Sequence, residues 1–268
     1  MTSQPLTETE EDIYLSKEGS IATLYFNRPE KRNALTFEMW QKIGRLIDKV
    51  EQDASIKVLV LRGVDESAFA AGADISEFKI LRYTAEGANA YNNATLEAEG
   101  KLGKLSKPTI AMVQSYCVGG GCELALACDF RFSDSTGKFG VTPAKLGLIY
   151  NLPGTKNLVD LVGPSNAKDI LFSGRIINAE EAYRMGLINR IYEPEELEKE
   201  TYAYANLLAS NAQMSIRGSK RIIGEILHGA DEESEEIAQL ILSSFESSDY
   251  REGVNAFLEK RKPDFKYS

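Results

Sequence analysis

Two short bursts of alternating apolar and polar residues open the chain, Ile13 to Leu15 and Ile21 to Phe26, separated by Lys17-Glu18-Gly19-Ser20. Alternation on either side of a glycine-containing turn predicts a β-hairpin, which Arg28-Pro29-Glu30-Lys31-Arg32-Asn33 ends. The period then changes. Leu35, Met39, Ile43, Leu46, Ile47 and Val50 recur at helical spacing, and Val58-Leu59-Val60-Leu61 is an unbroken apolar run closed by Gly63, the pattern of a short buried strand. A second cycle follows: a loop at Ser67 to Asp74, a helix over about 86–104, a strand over Thr109 to Val113, a glycine turn, a helix to about Cys128 and a strand over Phe130 to Ser133. Such alternation implies an α/β core built on parallel strands. From Thr155 onward helical spacing dominates (Leu158 to Leu161, Asn166 to Phe172, Ala179 to Met185), interrupted by a strand over Leu187 to Tyr192 and resumed to the end. The pattern predicts a solvated tail at residues 1–11, a core over 12–195 and a helical region over 196–268 packed on, or exchanged with, something else. No internal repeat or low-complexity linker separates them.

Composition narrows the function classes. The 268 residues are 43% hydrophobic and 26% charged, ordinary globular values. A net charge of −9 disfavours general binding to nucleic acid or anionic membranes, both of which need a basic face. No apolar stretch approaches membrane-spanning length, and the polar, acidic N-terminus argues against a signal peptide, so a cytoplasmic location is expected. Cys117, Cys122 and Cys128 are odd in number, irregularly spaced and flanked by small apolar residues, which predicts core thiols.

Two loops of small residues carry the candidate chemistry. Gly119-Gly120-Gly121-Cys122-Glu123 follows one predicted strand, and Ala70-Ala71-Gly72-Ala73-Asp74 follows another. In a parallel sheet the carboxyl ends of strands share an edge where ligands bind, so both loops can aim bare N–H groups at one oxygen. Glu123 sits in the first turn of its helix, a place the helix dipole favours for any carboxylate; near apolar residues it is also a candidate acid–base group. The lone His228 lies far from both loops. Basic knots at Lys31-Arg32 and Lys260-Arg261-Lys262 read as solvated charge or as a handle for an anionic phosphate. Walker and dinucleotide glycine spacings are absent.

Through Arg32-Asn33-Ala34-Leu35, Ala70-Ala71-Gly72-Ala73-Asp74-Ile75, Gly119-Gly120-Gly121-Cys122-Glu123-Leu124-Ala125, Phe139-Gly140 and Phe257-Leu258-Glu259-Lys260-Arg261-Lys262, the chain resembles the crotonase (enoyl-CoA hydratase/isomerase) superfamily over nearly its full length. The resemblance implies an α/β spiral of ββα units with a C-terminal helical trimerisation region, acyl-CoA thioester substrates, and homotrimers or homohexamers built as dimers of trimers. No metal or redox cofactor is implied. It places the oxyanion hole at the N–H groups of Ala73 and Gly120. It lays Lys31, Asn33, Ala34, Leu35, Ala71, Asp74 and Ile75 along the coenzyme A moiety, with Lys260 reaching a phosphate from a neighbouring subunit. A lysine that family hydratases often carry after Ala-Asp-Ile is Ser76 here.

Family hydratases use two glutamates. Glu123 fills the first position, while the second falls on Pro143, which cannot move a proton. Thr142-Pro143, Leu146-Gly147, Tyr150-Asn151-Leu152 and the ending from Asn255 look most like the methylmalonyl-CoA decarboxylase branch, in which a tyrosine at the place of Tyr150 lines the site; the histidine expected at the place of Ala73 is absent. The leading expectation is therefore decarboxylation of a methylmalonyl-type thioester in a pocket lined by Leu148, Ile149 and Tyr150, with Glu123 protonating the enolate. The alternatives are a 2-enoyl-CoA hydratase or enoyl-CoA isomerase using Glu123 alone, and an inactive scaffold that binds CoA or RNA.

Overall fold

The computed structural model describes residues 11–266, so the expected tail lies, but for Glu11, outside the described residues. The opening alternation forms β1 (Ile13–Glu18) and β2 (Ile21–Phe26), an antiparallel hairpin turned at Gly19. The helical spacing forms α1 (Phe37–Gln52), whose Thr36 side chain accepts the Met39 N–H as a cap and whose Met39, Trp40, Ile43, Leu46, Ile47 and Val50 are buried. Next come β3 (Val58–Gly63), buried throughout, and β4 (Ala68–Ala70). Two helices follow, α2 (Phe78–Leu81) and α3 (Ala85–Lys104).

Strand β5 (Thr109–Val113) is followed by β6 (Tyr116–Val118), α4 (Gly120–Ala127), β7 (Phe130–Asp134) and β8 (Lys138–Gly140). Helix α5 (Leu152–Ser173) is broken at Gly163, whose φ of 73° precedes Pro164, so the two helical segments expected on either side are two arms of one kinked element. The chain continues through β9 (Ile177–Asn178), α6 (Ala179–Arg184), β10 (Arg190–Tyr192), α7 (Pro194–Ser210), α8 (Gln213–Leu227), α9 (Glu235–Glu246) and α10 (Ser248–Leu258).

Six strands make one sheet in the order β1-β2-β3-β5-β7-β10, parallel from β2 onward. A second sheet, β4-β6-β8-β9, was not expected from the sequence, because strands of two or three residues hold too few positions for any period to show. It corrects the placing of both small-residue loops. The glycine triplet leaves β6 rather than β5, and Ala71 to Asp74 leave β4 rather than β3. Since β4 and β6 are parallel neighbours paired at Ala70 and Cys117, the loops still emerge side by side.

Helix α7 lays Leu197, Ala205 and Ala209 on Ile21, Val58, Val60, Ile110, Met112 and Phe132 of the larger sheet. The expected boundary at 195/196 thus falls inside a helix that covers the core. Beyond it, α8 to α10 expose Ile223, Ile226, Leu242, Phe245, Phe257 and Leu258. The three cysteines are free and buried. Among the described residues no helix is long and apolar enough to cross a membrane.

Candidate active site

The loops after β4 and β6 touch. Gly72 (φ 104°) and Gly119 (φ 53°) both hold backbone conformations that side chains rarely adopt, and a Cβ on Gly119 would lie 3.5 Å from the Gly72 Cα. Leu35 pins the first loop: its N–H donates to Gly72 O at 2.7 Å and its carbonyl accepts Asp74 N–H at 2.8 Å. This parallel bridge engages the residues on either side of Ala73, so the Ala73 N–H points to the other side. Gly120 begins α4, where an N–H has no intrahelical acceptor. Among the described residues neither the Ala73 nor the Gly120 N–H has an acceptor. Two unengaged donors on adjoining loops have the makings of a hole for one anionic oxygen.

Trp40 holds both loops in place. A Cβ on Gly120 would sit 2.8 Å from Trp40 Cζ2, so the triplet rests directly on the indole. Trp40 Nε1 donates to the Tyr91 hydroxyl at 3.2 Å, and that hydroxyl donates to the Leu35 carbonyl at 3.4 Å. One buried chain of contacts therefore connects the backbone at Gly120 to the Leu35 segment that pins Ala73. Gly121 is equally constrained, since a Cβ there would lie 2.3 Å from Ala70 O.

Beside the hole lies Glu123, buried in the first turn of α4. Asn151, the N-cap of α5, accepts Gly154 N–H through Oδ1 at 2.7 Å and donates through Nδ2 to Glu123 Oε1 at 3.1 Å. The Tyr150 hydroxyl is buried next to the same carboxylate, has no hydrogen-bond partner of ordinary geometry, and is pushed well above the usual phenol range by burial and by the charge of Glu123. Facing Glu123 from α3 is a second buried carboxyl, Glu99, within hydrogen-bonding reach. Burial pushes Glu123 up to about 7, against the opposing pull of the neighbouring Tyr150 hydroxyl, the Glu99 carboxyl and the Asn151 amide. Burial, reinforced by the charge of Glu123, pushes Glu99 much further, so it keeps its proton at neutral pH.

The residues expected along coenzyme A divide into two groups. Asn33 is fully buried, with Oδ1 accepting Arg28 N–H at 2.8 Å and Nδ2 donating to Ala68 O at 2.7 Å, so its side chain is committed to the fold. Leu35 is likewise buried and acts through its backbone. Asp74 accepts from Ser76 and from Arg28, whose Nη1 also donates to Ala34 O at 2.6 Å; together these tie the two edges of the loop pair. The Ala71 N–H donates to Arg32 O. Through these bonds the four residues build the frame of the loop. Lys31, Ile75 and Lys260 are exposed, and Ala34 is half-buried.

Ile149 is 99% exposed and Leu148 41%, which corrects their expected place in a pocket wall, whereas the Tyr150 hydroxyl turns inward. Pro143 opens a 3-10 turn, Pro143–Lys145, and offers no side-chain proton. The sequence reading missed Glu99, Asn151 and Trp40. A signal for Glu99 exists: Tyr91, Thr95, Ala98 and Leu102 mark the buried stripe of α3, and Glu99 lies on it.

Residues 16–268 match the family model described as enoyl-CoA hydratase/isomerase. A crotonyl-CoA hydratase of Syntrophomonas wolfei is 37% identical, covering 95% of this chain and 98% of its own. A short-chain-enoyl-CoA hydratase of Clostridium acetobutylicum is 36% identical over 94% and 96%. The crystal structure of an enoyl-CoA hydratase/isomerase family protein from Hyphomonas neptunium superposes with a TM-score of 0.93 at 40% identity, covering 96% of this chain and 98% of that one. These relatives support hydratase-type chemistry and give no support to the decarboxylase branch. Pro143 removes a carboxyl at one place, while α3 brings Glu99 against Glu123 at another.

Proposed function

Since the chain belongs to the enoyl-CoA hydratase/isomerase family, an enzyme family of the crotonase superfamily, we propose that it adds water to a short 2-enoyl-CoA thioester, with Ala73 and Gly120 as the oxyanion hole and Glu123 as the proton carrier. One observation carries this reading: two N–H donors without acceptors open beside a buried carboxyl whose proton affinity lies near neutrality. Glu123 takes a proton from water as the water oxygen bonds to C3 of the enoyl chain. The C2–C3 π electrons move toward the thioester, whose oxygen gathers charge between the two N–H groups. Each such donor contributes about 3 kcal/mol to a charged transition state in a dry site. Glu123 then returns the proton to C2, and the 3-hydroxyacyl thioester leaves. A carboxyl with a proton affinity near the working pH suits both halves of this cycle. Isomerisation of a double bond would use the same carboxyl to move a proton between two carbons.

In this proposal the coenzyme A moiety runs past the Arg32 to Leu35 loop, with Lys31 and Lys260 as phosphate contacts, and the reaction draws on no metal or redox cofactor. The apolar residues exposed on α8 to α10 support self-association, a trimer or hexamer, which light scattering measures directly.

The test is mass spectrometry of the protein incubated separately with crotonyl-CoA and methylmalonyl-CoA. Water addition to the first is the expected result. Loss of carbon dioxide from the second, without water addition to the first, would replace hydration by decarboxylation, the second reading that Pro143 and the inward Tyr150 favour. Tight thioester binding with no turnover would leave a binding scaffold.

A further inference from the structure

We propose that Glu99 is a positioning residue: a neutral carboxylic acid whose O–H donates to Glu123, so that the two buried carboxyls carry one negative charge and that charge resides on Glu123. The inference rests on the reading of Glu123 as the base of the site. Both side chains are more than nine-tenths buried, at 6% and 7% exposed, and they face each other from α3 and α4. Among the described residues Glu99 has no cationic partner, and its Oε1 has no donor at all. An ionised carboxylate would need donors on both oxygens to repay its desolvation, whereas an acid needs only one acceptor for its proton. Glu123 is in the opposite situation, because Asn151 Nδ2 already donates to its Oε1.

The remaining groups around the pair fit this division. The Tyr150 phenol beside Glu123 is neutral, held so by burial. Arg82, at the end of α2, acts on Glu123 through its charge while its guanidinium lies 4.5 Å from the Phe78 ring centroid and 5.0 Å from that of Tyr91. It favours the ionised form of Glu123. Two like charges this close in an apolar site do not both ionise, so the pair keeps one proton, and the side with fewer donors, Glu99, holds it. The consequence is functional. Without the Glu99 proton, Glu123 would lose a hydrogen bond that favours its charged form, and its affinity for protons would rise above the range useful to a base.

Two variants of the full-length chain separate this from a packing role. In Glu99→Gln the amide N–H still donates, so the acidic limb of the pH profile for crotonyl-CoA hydration stays in place and kcat changes by less than about threefold. In Glu99→Leu the donor is gone, so the limb moves up by about one pH unit; kcat at neutral pH falls about fivefold, recovers at high pH, and KM is unchanged. A folded Leu variant with an unmoved limb overturns the proposal. So does a Gln variant whose limb moves about a unit or more toward acid, because that is the response to removing a charge. Infrared spectroscopy of the free protein needs no substrate: the wild type at about pH 8.5 should keep a carboxylic-acid carbonyl band that Glu99→Gln lacks. Absence of that band from the wild type overturns the proposal even if neither variant folds. A band that behaves as expected in a protein that turns over no thioester refutes the proposed function and leaves the assignment of Glu99 standing.

Discussion

Asn151 is bound to Glu123 and to the start of α5 at once: Nδ2 lies 3.1 Å from Glu123 Oε1, and Oδ1 accepts Gly154 N–H at 2.7 Å. A single side chain thus caps one helix and aims a carboxylate on another. Asn151→Ala should remove the cap, destabilising the fold by about 1 kcal/mol, and raise the proton affinity of Glu123 by removing a donor to its charged form. A thermal melt together with the pH profile of hydration checks both effects. A variant that loses stability while its acidic limb stays in place would confine Asn151 to capping.

Glu123→Gln keeps the shape of the site and removes its proton carrier. Hydration should fall by about 10²–10⁴-fold in kcat with KM nearly unchanged, because the amide still fits beside the hole. Steady-state kinetics on crotonyl-CoA measures the split, and a large rise in KM with kcat intact would assign Glu123 to binding.

Gly120 rests on Trp40, so even a methyl group there should act on catalysis through the indole. A Cβ would lie 2.8 Å from Cζ2, and the buried ring cannot yield without moving the contacts that run through Tyr91. Gly120→Ala should displace the N–H donor and reduce kcat by about 10²–10³-fold. Trp40→Phe removes the offending ring atoms, so the double variant should recover part of the loss. A double-mutant cycle measures the coupling, and strictly additive effects would contradict the contact.

The stability contributed by the two buried carboxyls should fall as the pH rises from about 4.5 through neutrality. Glu123 and Glu99 both have folded-state proton affinities raised from the ordinary 4.5, Glu123 to about 7 and Glu99 higher still. The folded state therefore holds protons that the unfolded chain has already released. The associated stability is fully present below about pH 4.5 and is lost progressively toward and beyond neutrality, at up to about 1.4 kcal/mol per pH unit for each proton. Glu99→Gln removes one of these protons, so its stability relative to the wild type should improve from pH 5 to pH 9. Denaturant unfolding at both values tests the sign, and a relative stability that worsened would contradict a neutral Glu99.

Much of the fold was legible because its longer elements bury one face each. The stripe from Met39 to Val50 and the run from Val58 to Leu61 state their periods over enough residues to be read without coordinates. Strands β4, β6 and β8 have three residues each and state none, which is why the second sheet stayed hidden although it carries both loops of the hole. The inward course of the Asn33 amide was hidden for a related reason, because its partners Arg28 and Ala68 meet it only in the fold.

The inventory of local chemistry lay in the order of residues alone: two runs of small residues able to expose backbone donors, one carboxyl next to them, and proline where a second carboxyl was expected. Each is a property of a few neighbouring residues, and local steric rules suffice to read it. The tertiary structure alone decided which distant groups meet. It set Gly120 on Trp40, turned Asn151 onto Glu123, and brought Glu99 across from another helix to face the same carboxylate. Those contacts depend on how α1, α3, α4 and α5 pack around the two sheets, and the charge of a buried carboxyl follows from the company that packing imposes.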